Sequence, residues 1–217
     1  MPDAENVTRL MEQWCDQEIL FSWMQVGSND LTDHSLFEWA FSRNVNGRLR
    51  YAQLPALNTT TSVSCFELIL LALANANAQR YTRAHFKSLY ESYLGLHNTE
   101  GQWAALLLQG PDFQLNRTAT ICSRRDRPLR GQLVFFNAGA HVCLATGETS
   151  QVGAIVSPEL LSFWGPYPRL DPAQAVNHVM RSSVAEILAY LQETRALPGQ
   201  PARTGPDEVT FGDPYWA

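Results

Sequence analysis

The sequence predicts an α+β fold, and three observations carry that expectation. The hydroxyl-rich stretch Thr59, Thr60, Thr61, Ser62, Ser64 gives way at Cys65 to an apolar run reaching Ala74, the pattern of a capped, buried helix. Two apolar segments, Gly131 to Phe136 and His141 to Thr146, flank Asn137-Ala138-Gly139-Ala140, whose length and turn chemistry make a β-hairpin. Amphipathic helices are expected towards both ends of the chain. The architecture expected is therefore a helix beginning at Cys65, packed on a small antiparallel sheet, with extra N- and C-terminal helices.

Taken in order, Asp3 can cap a first helix whose apolar positions Val7, Leu10, Met11, Trp14 and Cys15 recur with the 3.6-residue period. A second, short helix is expected around Leu36 to Phe41, after the loop Gly27 to Asp33. Arg48 to Ala52 alternates like a short strand leading into the threonine-rich loop. The Cys65 helix should end between Asn75 and Ala78, and Thr82 can cap another, carrying Phe86, Leu89, Tyr90, Tyr93 and Leu94 to Gly95. Between Leu96 and Arg130 the pattern is weak, with a helical stretch at Trp103 to Leu108 and a strand at Thr118 to Cys122. A third strand of the sheet is expected within Ile155 to Trp164. Asp171-Pro172 should then open a long helix to Leu197, with Val176, Val179, Met180, Val184, Ile187, Leu188 and Leu191 on one face. The remaining segment is rich in Pro, Gly and acidic residues. It is either disordered or a strap that docks through Phe211, Tyr215 and Trp216. This divides the chain into an N-terminal helical arm at 1–50, a body at 51–197 and a tail at 198–217.

With 217 residues, 45% of them hydrophobic, the chain can bury a real core. A net charge of -5 with scattered lysines and arginines argues against a nucleic-acid partner. The cluster Arg124, Arg125, Arg127 and Arg130 reads as a solvated loop, with contact to an anionic substrate or partner as the alternative. Four cysteines lie far apart without CxxC pairing, so no cofactor, zinc site or disulfide framework is expected. No apolar run is long enough for a membrane span, and the first residues lack the pattern of a secretory signal. The expectation is synthesis in a bacterial cytoplasm, with any export by a dedicated system.

Chemistry points to Cys65. A thiol at a helix start feels unpaired backbone N–H groups and the positive end of the helix dipole, which together favour thiolate and lower its pKa. His141, first in its strand after a turn of small residues, can point towards a neighbouring helix end and take the thiol proton. Cys143, two residues on, shares a strand face with His141 and reads as a small core residue; oxidation with Cys65 would silence the site.

The segment GQLVFFNAGAHVCLATG resembles the hallmark of NlpC-type peptidases, in which a Gly-Asp-Leu-Val-Phe-Phe strand precedes a strand beginning His-Val-Gly. SVSCFELILLALANA is similar to their Asp-Cys-Ser-Gly-Leu-Val helix start, and the order, cysteine before histidine, is that of the unpermuted members. The resemblance implies a papain-like fold over 51–197, with Cys65 as nucleophile and His141 as general base. It puts the third polar residue on the following strand, at Ser162 or, second, Glu159. It also puts Tyr51 on the oxyanion side, beside the Cys65 backbone N–H. This chain departs from the pattern at Ser64, Phe66, Glu67 and Gln132. Glu67 and Ser162-Phe163-Trp164 look like a bacterial toxin branch of the same superfamily.

What the resemblance implies is a cysteine-dependent amide hydrolase working through a thioester. The substrate would be a peptide or amide such as peptidoglycan, and the enzyme an antibacterial effector with a cognate immunity protein. Two alternatives stay open: transfer or deamidation (an acyltransferase, a transglutaminase-like enzyme or a glutamine deamidase), and a non-catalytic binding module with the same fold.

Overall fold

Alternation and capping explain most of the elements in the computed structural model, which describes residues 2–23, 35–41, 46–47, 51–88, 91, 120–123, 125–137, 141–162, 178–194, 208–214 and 216. The first helix, α1 (Pro2–Asp16), buries Ala4, Val7, Met11 and Trp14. A two-residue strand β1 (Ser22–Trp23) pairs in parallel with β2 (Ser62–Val63), and α2 (Ser35–Phe41) lies between them in sequence. The central helix α3 (Cys65–Ala76) follows, and ten of its residues, Cys65 to Ala74, are buried. A helix buried all round belongs in the middle of a fold, and α3 packs between α1 and the sheet.

That sheet has six strands in the order β3-β8-β4-β5-β6-β7, every neighbouring pair antiparallel: β3 (Thr120–Ile121), β4 (Leu133–Phe136), β5 (His141–Val152), β6 (Ile155–Ser162), β7 (Met180–Ser183) and β8 (Val209–Gly212). Both hairpin strands and the third strand stand where the pattern put them. A last helix, α4 (Val184–Thr194), starts where β7 ends. Side-chain alternation sends Leu133, Phe135, Val142, Leu144 and Leu161 into one core with α1 and α3. Val134, Phe136, Cys143, Ala145 and Leu160 enter a second core with Val184 and Ile187 of α4. The fold is thus α+β, with helices on both faces of one antiparallel sheet.

Several expectations need correction. The helix expected from Asp171 does not run through 180–183, which is β7; residues 171–177 lie outside the described ones. The reason is local. Ser183 accepts from the Glu186 N–H through Oγ at 3.2 Å, and Glu186 Oε2 accepts from the Ser183 N–H at 2.7 Å, so a capping box fixes the helix start there. The tail resolves in favour of docking: β8 is an interior strand between β3 and β4, and Val209, Phe211 and Trp216 are buried. Gln132, which stands where the resembled motif has Asp, donates to Asp213 Oδ1 at 2.9 Å and ties this segment down. Residues 51–53 are not a strand, whereas 62–63 are.

Arg130, though exposed, is tied to α1. Its guanidinium pairs with Glu5 and Glu12 of α1, both at 2.7 Å, and donates to the Thr146 carbonyl at 3.2 Å. Beside it, Gly131 takes a φ of +83°, and a Cβ there would stand 2.9 Å from Ala4 Cβ, so glycine lets α1 lie directly on the strand entry. The helical stretch expected at Trp103 to Leu108 lies outside the described residues. Thr82 caps residues 83–88 as expected, accepting from the His85 N–H at 3.3 Å.

Candidate functional site

The start of α3 is held from three sides. Asn58 Oδ1 accepts from the Thr60 N–H at 2.8 Å and from its hydroxyl at 2.7 Å, folding the loop onto itself. The Thr61 hydroxyl donates to the Ala56 carbonyl at 2.6 Å, and the Ser62 N–H donates to the Ser35 hydroxyl at 2.9 Å. Ser64 is the N-cap. Its Oγ accepts from the Glu67 N–H at 3.3 Å while Glu67 Oε2 accepts from the Ser64 N–H at 2.9 Å, a complete capping box. Glu67 and Ser64, two of the departures from the resembled motif, therefore have a structural task here. They fix Cys65 as the first residue of the helix.

Three backbone N–H groups, those of Val142, Phe66 and Cys65 itself, act on the Cys65 sulfur in favour of the thiolate. They do not prevail. Burial is the larger effect, the Glu67 carboxylate adds to it, and together they push the thiol up to about 12. This corrects the expectation of a lowered pKa: a helix start lowers a thiol's pKa where water still reaches it, and here only 5% of the residue is exposed. At neutral pH Cys65 is a thiol.

His141 pairs in register with Phe136, and their rings lie 6.1 Å apart, on the face carrying Cys143 and α4. The thiol arrives from the other face, with α3, and meets β5 at Val142, the next residue. His141 and Cys65 thus approach adjacent positions of β5 from opposite sides. Although His141 keeps some exposure, its Nε2 is shut off from solvent, and burial pushes the imidazole down to about 4, so it too is neutral at pH 7.

Ser162 is buried and its hydroxyl lies 3.0 Å from that of Ser182. It stands across β5 from Cys143, whose thiol pKa burial and the neighbouring Cys65 drive upward and Ser162 draws down. Ser162 thus joins Cys143 and Ser182 in a short polar chain within the second core. Glu159 pairs with Arg181 at 3.0 Å. Tyr51 is exposed, and its carbonyl accepts from Arg83. Sequence reading missed the Val142 N–H and Ser182. Nothing in the composition marks the first, and the second is a consequence of β7 pairing. The Ser-x-x-Glu spacing at Ser64 and Ser183 was there to be read.

The class these features define is an α+β protein with a buried thiol at the start of its central helix, beside a strand that opens with histidine. No family model, curated protein or solved structure matches the chain. No helix among the described residues is long and apolar enough to cross a membrane.

Proposed function

We propose that the chain is a papain-like cysteine hydrolase acting on an amide, of the NlpC type and of the effector branch that the motifs resemble, with a peptide such as a peptidoglycan stem as substrate. The observation that carries this reading is the position of Cys65 as the first residue of the capped helix α3, which packs against β5, the strand that opens with His141. The unpaired N–H groups of a helix start favour both an attacking thiolate and the oxyanion it creates.

In the reaction, Cys65 Sγ bonds to the carbonyl carbon of the amide while His141 takes its proton, a step that requires the start of β5 to rearrange so that the imidazole leaves the Phe136 face for that of the thiol. The C–N bond then breaks, and His141 returns that proton to the leaving amine. Water adds to the thioester and restores the thiol. Since thiol and imidazole are both neutral at rest, proton transfer accompanies attack instead of preceding it. Ser162 acts here on Cys143, and so on the packing beneath the histidine.

The test compares wild type with Cys65→Ala on purified peptidoglycan and on cell lysate, read by mass spectrometry. Cys65-dependent release of muropeptides supports the proposal. A change of one mass unit on glutamine moves the chemistry to deamidation. Absence of any Cys65-dependent product overturns hydrolysis. The non-catalytic module has two observations in its favour, the neutral, buried thiol and the histidine on the opposite face of β5. Cys65-dependent turnover of either material would exclude it.

A further inference from the structure

A groove of about 460 Å³ opens between α4 and the first half of β6, at the opposite end of that strand from Ser162. Its walls are apolar: Val156, Pro158, Val184 and Leu188, with Ile155 at its edge. Ile155 and Val156 are 59% and 55% exposed, among the largest apolar exposures of the described residues. A concave apolar surface of this size, bearing a few polar groups, has the dimensions of a small-molecule site.

The polar groups say which molecule. The Ser157 hydroxyl is occupied, accepting from the Ala185 N–H at 3.0 Å. The Ser123 hydroxyl is turned to Asp126, 3.2 Å away, which holds that carboxylate to its own loop. Arg127 lines the groove and has no ion-pair partner among the described residues. Its charge reaches the groove wall, where it favours the thiolate of Cys122 against the effect of burial. In a chain of net charge -5, an unpaired cation against an apolar wall selects for an anion with a hydrocarbon tail.

We infer that this groove binds a single-chain aliphatic carboxylate, its tail along Val156, Val184 and Leu188 and its carboxylate on Arg127. The inference is independent of the proposed hydrolase activity, because none of the groove residues belongs to the Cys65 site.

The experiment titrates the full chain with hexanoate, octanoate and decanoate, below their micelle concentrations, and with octanol as the neutral probe, by calorimetry. The expected result is one saturable site whose affinity rises about fourfold per methylene. Arg127→Ala should weaken decanoate about tenfold or more and leave octanol unchanged. Ala189→Trp, at an exposed α4 position lining the groove, should abolish binding while circular dichroism shows the fold intact. Decanoate should also slow alkylation of Cys122 and leave that of Cys15 unaltered. No saturable binding, equal affinity in Arg127→Ala, or unprotected Cys122 each overturns the inference.

Discussion

Gly131→Ala tests how α1 is seated on the sheet. The residue sits at φ +83°, a left-handed conformation that costs an L side chain about 1–2 kcal/mol. The new Cβ would meet Ala4 Cβ at 2.9 Å and the Ala4 carbonyl carbon and oxygen at 3.4 Å. The first of these is shorter than packed carbon atoms allow, so α1 has to retreat by several tenths of an ångström. Overpacking of this kind costs about 1–3 kcal/mol. The sum, about 2–5 kcal/mol, is a large part of the roughly 5–15 kcal/mol that holds a domain folded. Urea unfolding followed by circular dichroism measures it. The two contributions can be separated, because Ala4→Gly removes the clash and leaves the φ strain. The double variant should therefore lose less than the two single variants added together, even though Gly in a helix itself costs up to about 1 kcal/mol. A Gly131→Ala protein within 1 kcal/mol of wild type would refute the close seating of α1.

Four other outcomes follow from the structure. Arg130→Ala should destabilise by about 1–2 kcal/mol at neutral pH, the guanidinium being partly exposed. Its hydrogen bonds hold the Glu5 and Glu12 carboxyls below 4.5, so this contribution is present above that pH and is lost as pH falls through the folded-state values; the wild-type and variant melts should converge in acid. His141 is held down to about 4 from 6.5, so stability should fall by up to about 3 kcal/mol between those pH values, and His141→Gln should flatten that slope in urea melts at each pH. Ser64→Ala and Ser183→Ala should each cost about 1 kcal/mol, and additively, because the two caps lie on separate helices. Phe211→Ala should cost about 3–5 kcal/mol in the same assay, which checks that β8 belongs to the second core.

What could be read without coordinates was whatever short-range pattern records. The apolar run after Ser64 marked α3, and the paired apolar segments around 137–140 marked β4 and β5, because alternation and capping are local. β7 was missed because Met180-Arg181-Ser182-Ser183 becomes a strand by pairing with β6, and Met180 also fits a helical stripe. Arg130 was misread because its partners lie on α1, far away in sequence. The thiol's pKa was misjudged for a similar reason: proximity to a helix start is written in the sequence, but the depth of burial that outweighs it comes from α1 and the sheet closing over α3. That Cys65 opens a helix and His141 opens a strand was legible. Their approach to β5 from opposite faces was not.

The place of β8 has a consequence for the order of folding. Residues 209–212 hydrogen-bond to 133–136 and sit beside 120–121, while α1, made from residues 2–16, covers the other side of the same sheet. Contacts between residues about 75 apart in sequence, as those of β4 and β8 are, form slowly, since the intervening loop must be closed before they repay its entropy. Until Val209 emerges during synthesis, the outer edge of β4 stands open as a row of unpaired N–H and C=O groups, the kind of edge on which other chains add strands. The growing polypeptide is therefore open to association at this edge until β8 slides between β3 and β4.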